Sequence, residues 1–181
     1  MIVKELTQIG HPIIRAKSRS VKNSKSPEIQ SLIRDLADSM HRHGLVGIAA
    51  PQIGKGLRVF VTEITRTKLR KNQDKKDIDK LRVYINPEII KRSRKQIFGY
   101  EGCGSVASAQ IFGKVKRPAV VMVKALDGKG QPFELQAERL LARVIQHEFD
   151  HIEGKIFLDR NPQNLMSRNE YLKKVRKNTL K

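Results

Sequence analysis

Two imidazoles four residues apart, with a glutamate between them, make His147-Glu148-Phe149-Asp150-His151 the stretch best suited to chemistry. It follows Leu140-Leu141-Ala142-Arg143-Val144-Ile145-Gln146, an apolar, helix-favouring run. A helix turns about 100° per residue, so positions i and i+4 share a face. Both imidazoles can then reach one divalent ion, while Glu148, one residue round, lies within reach of a water held there. The chemistry this predicts is metal-assisted hydrolysis.

Two histidines leave such a site one protein ligand short, with a further position open for water. Downstream the candidates are Glu153 and Asp159, and no histidine follows His151. Upstream stands Cys103, between two glycines in Glu101-Gly102-Cys103-Gly104-Ser105, where the backbone can turn sharply and a thiolate can bind a metal strongly. A lone cysteine is more often a small buried hydrophobe. On residue types alone the third ligand stays open.

The elements that must hold these groups are punctuated clearly. Ser26 caps a helix that starts at Pro27, presents Ile29, Leu32, Ile33, Leu36 and Met40 on one face, and closes at Gly44. A small, glycine-rich segment, 44–54, follows. Residues 58–64, 82–90 and 119–126 read as strands, the last ending at the turn Asp127-Gly128-Lys129-Gly130 before a partner at 131–136. The histidine helix spans about 138–153, with Gly154 as its stop. Ser167-Arg168-Asn169-Glu170 has capping-box spacing for a basic C-terminal helix, 167–181, that shows Tyr171, Leu172 and Val175 to the core. Residues 66–80 are crowded with lysine and read as a solvated loop. The expected fold is α+β: one catalytic domain, 1–181, with curled mixed or antiparallel sheets packed around a central metal-binding helix.

Composition sets the boundaries. The 181 residues suffice for a real core, and with aromatics at 5% and no tryptophan it must lean on Ile, Leu, Val and Ala. Lys and Arg outnumber Asp and Glu by 37 to 18, a net charge of +19. That favours an acidic partner such as nucleic acid or a ribonucleoprotein as much as it describes a generally basic, solvated surface. A single cysteine excludes an internal disulfide. The N-terminus lacks the pattern of a signal or transit peptide, and no apolar run is long enough to span a bilayer. A cytoplasmic protein is expected.

Three segments in this order, Gly47-Ile48-Ala49-Ala50-Pro51-Gln52, Glu101 to Ser105 and His147 to His151, closely resemble the three motifs of the peptide deformylases. His11-Pro12-Ile13-Ile14-Arg15 and Ile85-Asn86-Pro87-Glu88-Ile89 are similar too, so the likeness runs over roughly 10–160. The resemblance implies Cys103, His147 and His151 as ligands of one divalent ion, iron(II) first, with zinc, nickel or cobalt able to take its place. It implies Glu148 as general base and acid, and Gln52 with the backbone N–H of Gly104 as donors to the reacting oxygen. The implied substrate is an N-formylmethionyl peptide, lying extended against Val46, Gly47 and Gly102, its methionine in a pocket lined by Val46, Leu140 and Val144. A monomer that meets the ribosome's acidic surface transiently fits that setting. The alternatives are a metallopeptidase that uses Glu153 or Asp159, and a basic RNA-binding protein on the same fold. Three positions depart from the family: Leu45 and Arg139 stand where glycine is usual, and Gly104 where leucine is usual.

Overall fold

The amphipathic segments fold into two antiparallel sheets and two long helices, in a computed structural model that describes residues 4–65 and 74–176. The larger sheet comprises β1 (Gly47–Ala49), β2 (Val59–Ile64), β3 (Asp79–Arg92), β6 (Val120–Leu126) and β7 (Pro132–Glu138), in the order β1-β2-β3-β6-β7. The smaller comprises β4 (Gln96–Gly102), β5 (Ile111–Pro118) and β8 (Gln163–Ser167), in that order. Both are antiparallel throughout, which narrows the expected "mixed or antiparallel" to the second.

Alternation along the strands gives each face of the larger sheet its own core. Val59 and Val61 join Ile48 and Ile85 on one face, beneath Ile29, Leu32, Leu36 and Met40 of the helix α2 (Pro27–Arg42). Phe60, Tyr84 and Ala49 face the other way, against Ala142, Ile145 and Ile152 of the helix α3 (Arg139–Ile152). Leu36 and Met40 are fully buried, so truncating either to alanine costs about 2–5 kcal/mol. Ser26 accepts a hydrogen bond from the Ile29 N–H (3.4 Å), Pro27 opens α2, and the last turn hands over to Gly44 at φ 64°. A short helix α1 (Pro12–Arg15) buries Ile14 with Val115, Ile156 and Phe157 under the smaller sheet.

The helix α3 lies between the two sheets, packed on β1, β2 and β7 from one and on β5 from the other. Its first residue, Arg139, has φ 57°, the left-handed region where glycine is at ease. That conformation accounts for glycine being usual here, and Arg139 is held in it by Asp74 (2.6 Å) and Asp77 (2.8 Å). Residues 74–80, expected in the solvated loop, thus include a 3₁₀ turn, Lys75–Asp77, and the start of β3. Residues 66–73 lie outside the described part.

The expected C-terminal helix begins as read: Ser167 and Glu170 form the capping box of α4 (Arg168–Tyr171). It passes at once into a π-helical turn, Leu172–Arg176, and 177–181 lie outside the described residues. Tyr171 stacks on Phe112 of β5, ring centroids 4.3 Å apart, which docks the segment on the smaller sheet. No helix among the described residues is long and apolar enough to cross a membrane.

Candidate metal centre

The i, i+4 spacing sets His147 and His151 on one stripe of α3, their ring centroids 5.1 Å apart. The end of β4 brings Cys103 to them, although it is more than forty residues away in the chain. One ligand atom from each of Cys103, His147 and His151 lies within 4.8 Å of the others. Cys103 Sγ is 3.2 Å from His151 Nε2. Glu153 and Asp159, the other sequence candidates, are engaged elsewhere: Glu153 with Arg58 (2.5 Å) and Lys17 (3.3 Å), Asp159 with Arg15 (2.5 Å) and the Ile156 N–H.

The donor set suits a divalent transition metal. A thiolate with two imidazoles is a borderline-soft set that accepts iron(II), zinc, nickel or cobalt. His147 Nδ1 lies 3.0 Å from Glu101 Oε2, an acceptor for an Nδ1 proton that leaves Nε2 on the side of Cys103 and His151. Burial, then the neighbouring His147, holds His151 well below the usual imidazole range, in the neutral form a metal requires. Two buried polar atoms, Glu148 Oε2 and His151 Nδ1, have no hydrogen-bond partner among the described residues. Such orphans mark a place where a water or ion is expected.

Glu148 itself is buried, and burial is the main reason its carboxyl is pushed up to about 7. A carboxyl poised there can take a proton at neutral pH and give it back. Its position depends on Gly47: a Cβ at that residue would stand 2.7 Å from Glu148 Oε1 and 2.7 Å from Val144 Cγ1. The glycine is what lets β1 approach α3 so closely. Val144 is buried in that contact, and Leu140, on the first turn of α3, is half-buried.

Gln52, in the 3₁₀ turn Ala50–Ile53 after β1, is buried with its amide oriented from both ends. The Ala49 N–H donates to Oε1 (2.8 Å), and Nε2 donates to Cys103 Sγ (3.7 Å). The amide N–H₂ therefore faces the thiol side. Gly104, next to the cysteine, is buried. Gly47 on β1 and Gly102 on β4 lie on edge strands of the two sheets, flanking α3. An extended chain can add to either edge. The Val46 carbonyl accepts from the Glu63 N–H (2.9 Å), which ties this residue to β2.

Sequence reasoning missed what stands behind the ligands. Glu101, on β4, accepts from Arg117 Nε (2.7 Å) and Nη2 (2.8 Å), from Arg143 Nη1 (2.7 Å) and from His147. Arg117 also reaches Asp150 (2.8 Å), which Arg160 pairs from outside. Burial alone would raise the Glu101 carboxyl, but Arg117 and His147 outweigh it and hold it far below the usual range. The available signal was helical spacing: Arg143, His147 and Asp150 fall at i, i+4 and i+7, a charged stripe on a helix that needs its faces buried.

With that geometry in view, the known proteins decide the family. A sequence model described as polypeptide deformylase matches residues 3–167. The chain belongs to that family. The peptide deformylase of Pseudothermotoga lettingae is 37% identical over 163 residues, covering 90% of this chain and 85% of its own. That of Desulforudis audaxviator is 38% identical over 160 residues, 88% of this chain and 94% of its own. Among solved structures, the Met-Ala-Ser-bound class I type b peptide deformylase of Acinetobacter baumannii superposes with TM-score 0.81 at 29% identity, covering 88% of this chain and 98% of its own. The Synechococcus elongatus peptide deformylase, in complex with actinonin, gives 0.77 at 31% identity, covering 94% and 85%. Deformylases are metal-dependent hydrolases, which agrees with the Cys-His-His cluster reached from the residues upward.

Proposed function

We infer that this chain removes the N-formyl group from formyl-methionyl peptides and releases formate. The observation that carries the reading is the convergence of Cys103, His147 and His151 beside a buried Glu148, in a chain of this family. Cys103, His147 and His151 would hold one divalent ion, iron(II) first, then zinc, nickel or cobalt. Such an ion lowers the pKa of a water it binds toward ~7 and polarises a carbonyl.

The remaining work falls to the chain's own groups. Glu148 takes the proton as water attacks the formyl carbon and passes it to the departing amine as the C–N bond breaks. The Gln52 amide and the Gly104 N–H donate to the oxygen on which negative charge develops. Gly47 and Gly102, with Val46, hold the peptide extended between the two sheet edges, and Val46, Leu140 and Val144 line the methionine pocket. A binding protein without chemistry would have no use for a buried Glu148 whose Oε2 has no hydrogen-bond partner among the described residues, which argues against the RNA-binding alternative.

The setting is the cytoplasm, where a monomer meets nascent chains at the ribosome. Support for that contact is the +19 charge and a basic, aromatic face on the smaller sheet. There Phe98 is half-exposed, with the Lys114 and Lys116 ammonium groups 5.5 and 5.8 Å from its ring centre, and Lys173 and Lys174 follow α4. Association with ribosomes should weaken steeply with salt and again when Lys173 and Lys174 are replaced by glutamate; insensitivity to both would remove the partner.

The deciding experiment measures formate released from formyl-Met-Ala-Ser by protein purified anaerobically with iron(II), beside Glu148→Ala. Release by the first and not by the second is the expected result. No release from the unaltered chain with metal bound would overturn the reaction, and metal content unchanged in Cys103→Ser would overturn the ligand set.

A further inference from the structure

Two of the three departures from the family meet in space. A Cβ on Gly104 would stand 2.6 Å from Leu6 Cδ1 and 3.5 Å from Leu45 Cδ1. Where the family places leucine at 104 and glycine at 45, this chain fills the same volume from Leu45 and from Leu6. The exchange keeps the packing, but it leaves the residue beside the cysteine without a side chain of its own to fix the backbone.

The segment 4–9 supplies that restraint from outside. Its Thr7 N–H donates to the Gln52 carbonyl (2.8 Å) and its Ile9 N–H to the Ser105 carbonyl (2.8 Å). Between them, Gln8 Nε2 donates to the Gly104 carbonyl (2.9 Å) and to the Leu6 carbonyl (3.0 Å), while Gln8 Oε1 accepts from the Ser108 N–H (3.1 Å). One side-chain amide therefore ties both ends of the turn that runs from Gly104 to Ser108.

That turn is strained and lies next to the site. Ala107, Ser108 and Ala109 have φ of 46°, 49° and 60°, three consecutive non-glycine residues in the left-handed region. Such a run persists only where the surroundings impose it. Its amides also orient the site: the Val106 and Ala109 N–H groups donate to the Cys103 carbonyl (3.0 and 3.1 Å). That carbonyl shares its peptide plane with the Gly104 N–H. Holding the turn thus sets the direction of the N–H.

We propose, resting on the reading that the Gly104 N–H donates to the reacting oxygen, that Gln8 is a positioning residue for that donor. It replaces through the N-terminal segment the anchoring that a side chain at 104 would give.

The test is Gln8→Met, which keeps length and removes both polar atoms, read by kinetics and by amide hydrogen exchange on the metal-loaded protein. With formyl-Met-Ala-Ser, kcat should fall about tenfold or more, with KM within about twofold and metal content unchanged, because the loss concerns the transition state. Exchange of the Val106 and Ala109 amides should accelerate about tenfold or more. The comparison is Ser39→Ala, which removes the oxygen that accepts from the Lys4 N–H (3.0 Å) and so loosens the same segment away from the site. It should lower Tm while leaving kcat and the two amides as they were. Unchanged protection of Val106 and Ala109 in Gln8→Met would overturn the role whether or not the chain is active. So would a kcat loss that Ser39→Ala reproduces at equal Tm, or one that tracks metal content. Lack of formate release by the unaltered chain would sink the proposed reaction, while the exchange result would still judge Gln8.

Discussion

Replacing Glu101 with glutamine exchanges one carboxylate oxygen for an N–H₂ at a point where four donors converge. The carboxylate receives two N–H groups from Arg117, one from Arg143 and the Nδ1–H of His147. Glutamine keeps one acceptor oxygen, so some of these donors would face another donor, each buried mismatch costing about 1–3 kcal/mol. Two buried guanidiniums would also lose their shared counter-charge, a change of about 3–5 kcal/mol when a buried pair is broken. The lower end applies, because Arg117 keeps Asp150 and Arg143 keeps the carbonyls of Ile97, Gly99 and Val115. The expected loss is about 3 kcal/mol in the metal-free protein. At a slope of about 2 kcal/mol per molar, the urea midpoint moves down by roughly 1.5 M. His147 also loses the acceptor that fixes its tautomer, so metal affinity in a chelator competition should drop about 10–100-fold. A shift below about 0.5 M with metal affinity intact would refute the reasoning, since the carboxylate would then be neither compensating buried charge nor orienting the ligand.

Gly47→Ala places a methyl against Glu148 and Val144, so kcat should fall about tenfold or more while metal content stays as in the parent; an unaltered kcat would show that β1 can retreat without moving the carboxyl. Burial, only partly offset by the Thr62 hydrogen bond, pushes the Tyr84 hydroxyl up to about 12. The folded state holds that proton more tightly, so its contribution, about 2–3 kcal/mol, is full below pH ~10 and is lost as pH rises through ~12. Urea unfolding across that window should therefore show a shallower loss of stability in Tyr84→Phe than in the parent, and parallel curves would contradict the burial argument. At Arg139, held at φ 57°, Arg139→Gly should melt above Arg139→Ala, because both lose the Asp74 and Asp77 contacts and only glycine escapes the backbone strain. Equal melting temperatures would place the strain elsewhere.

What the sequence determined by itself was local. Ser26-Pro27 and the spacing of Ile29, Leu32, Leu36 and Met40 dictate α2 through capping and a 3.6-residue period, with no help from distant residues. His147 and His151 share a face of α3 for the same reason, and the β-branched, apolar runs 58–64 and 119–126 are enough to make strands. Three spaced motifs carried the family. The strands β4, β5 and β8 left no such trace: along β4 and β5 the inward Glu101, Gly113 and Arg117 interrupt Ile97, Ile111 and Val115, and β8 is largely exposed, so the hydrophobic alternation is broken. The motif resemblance already pointed to Cys103 rather than Glu153 or Asp159, and the tertiary structure is what sets it beside the two histidines. All three are plausible by type, and the choice depends on which one the fold brings within 4.8 Å of two imidazoles. Packing likewise turned Glu101, Arg117, Arg143 and Asp150 from surface-like charges into a buried network behind His147. It also brought Leu6 and Leu45 to the space beside Gly104, where a Cβ would stand 2.6 and 3.5 Å from their Cδ1 atoms. Period and capping act within a turn or two of chain; ligand sets, buried charge and shared volume are contacts between segments that the sequence keeps far apart.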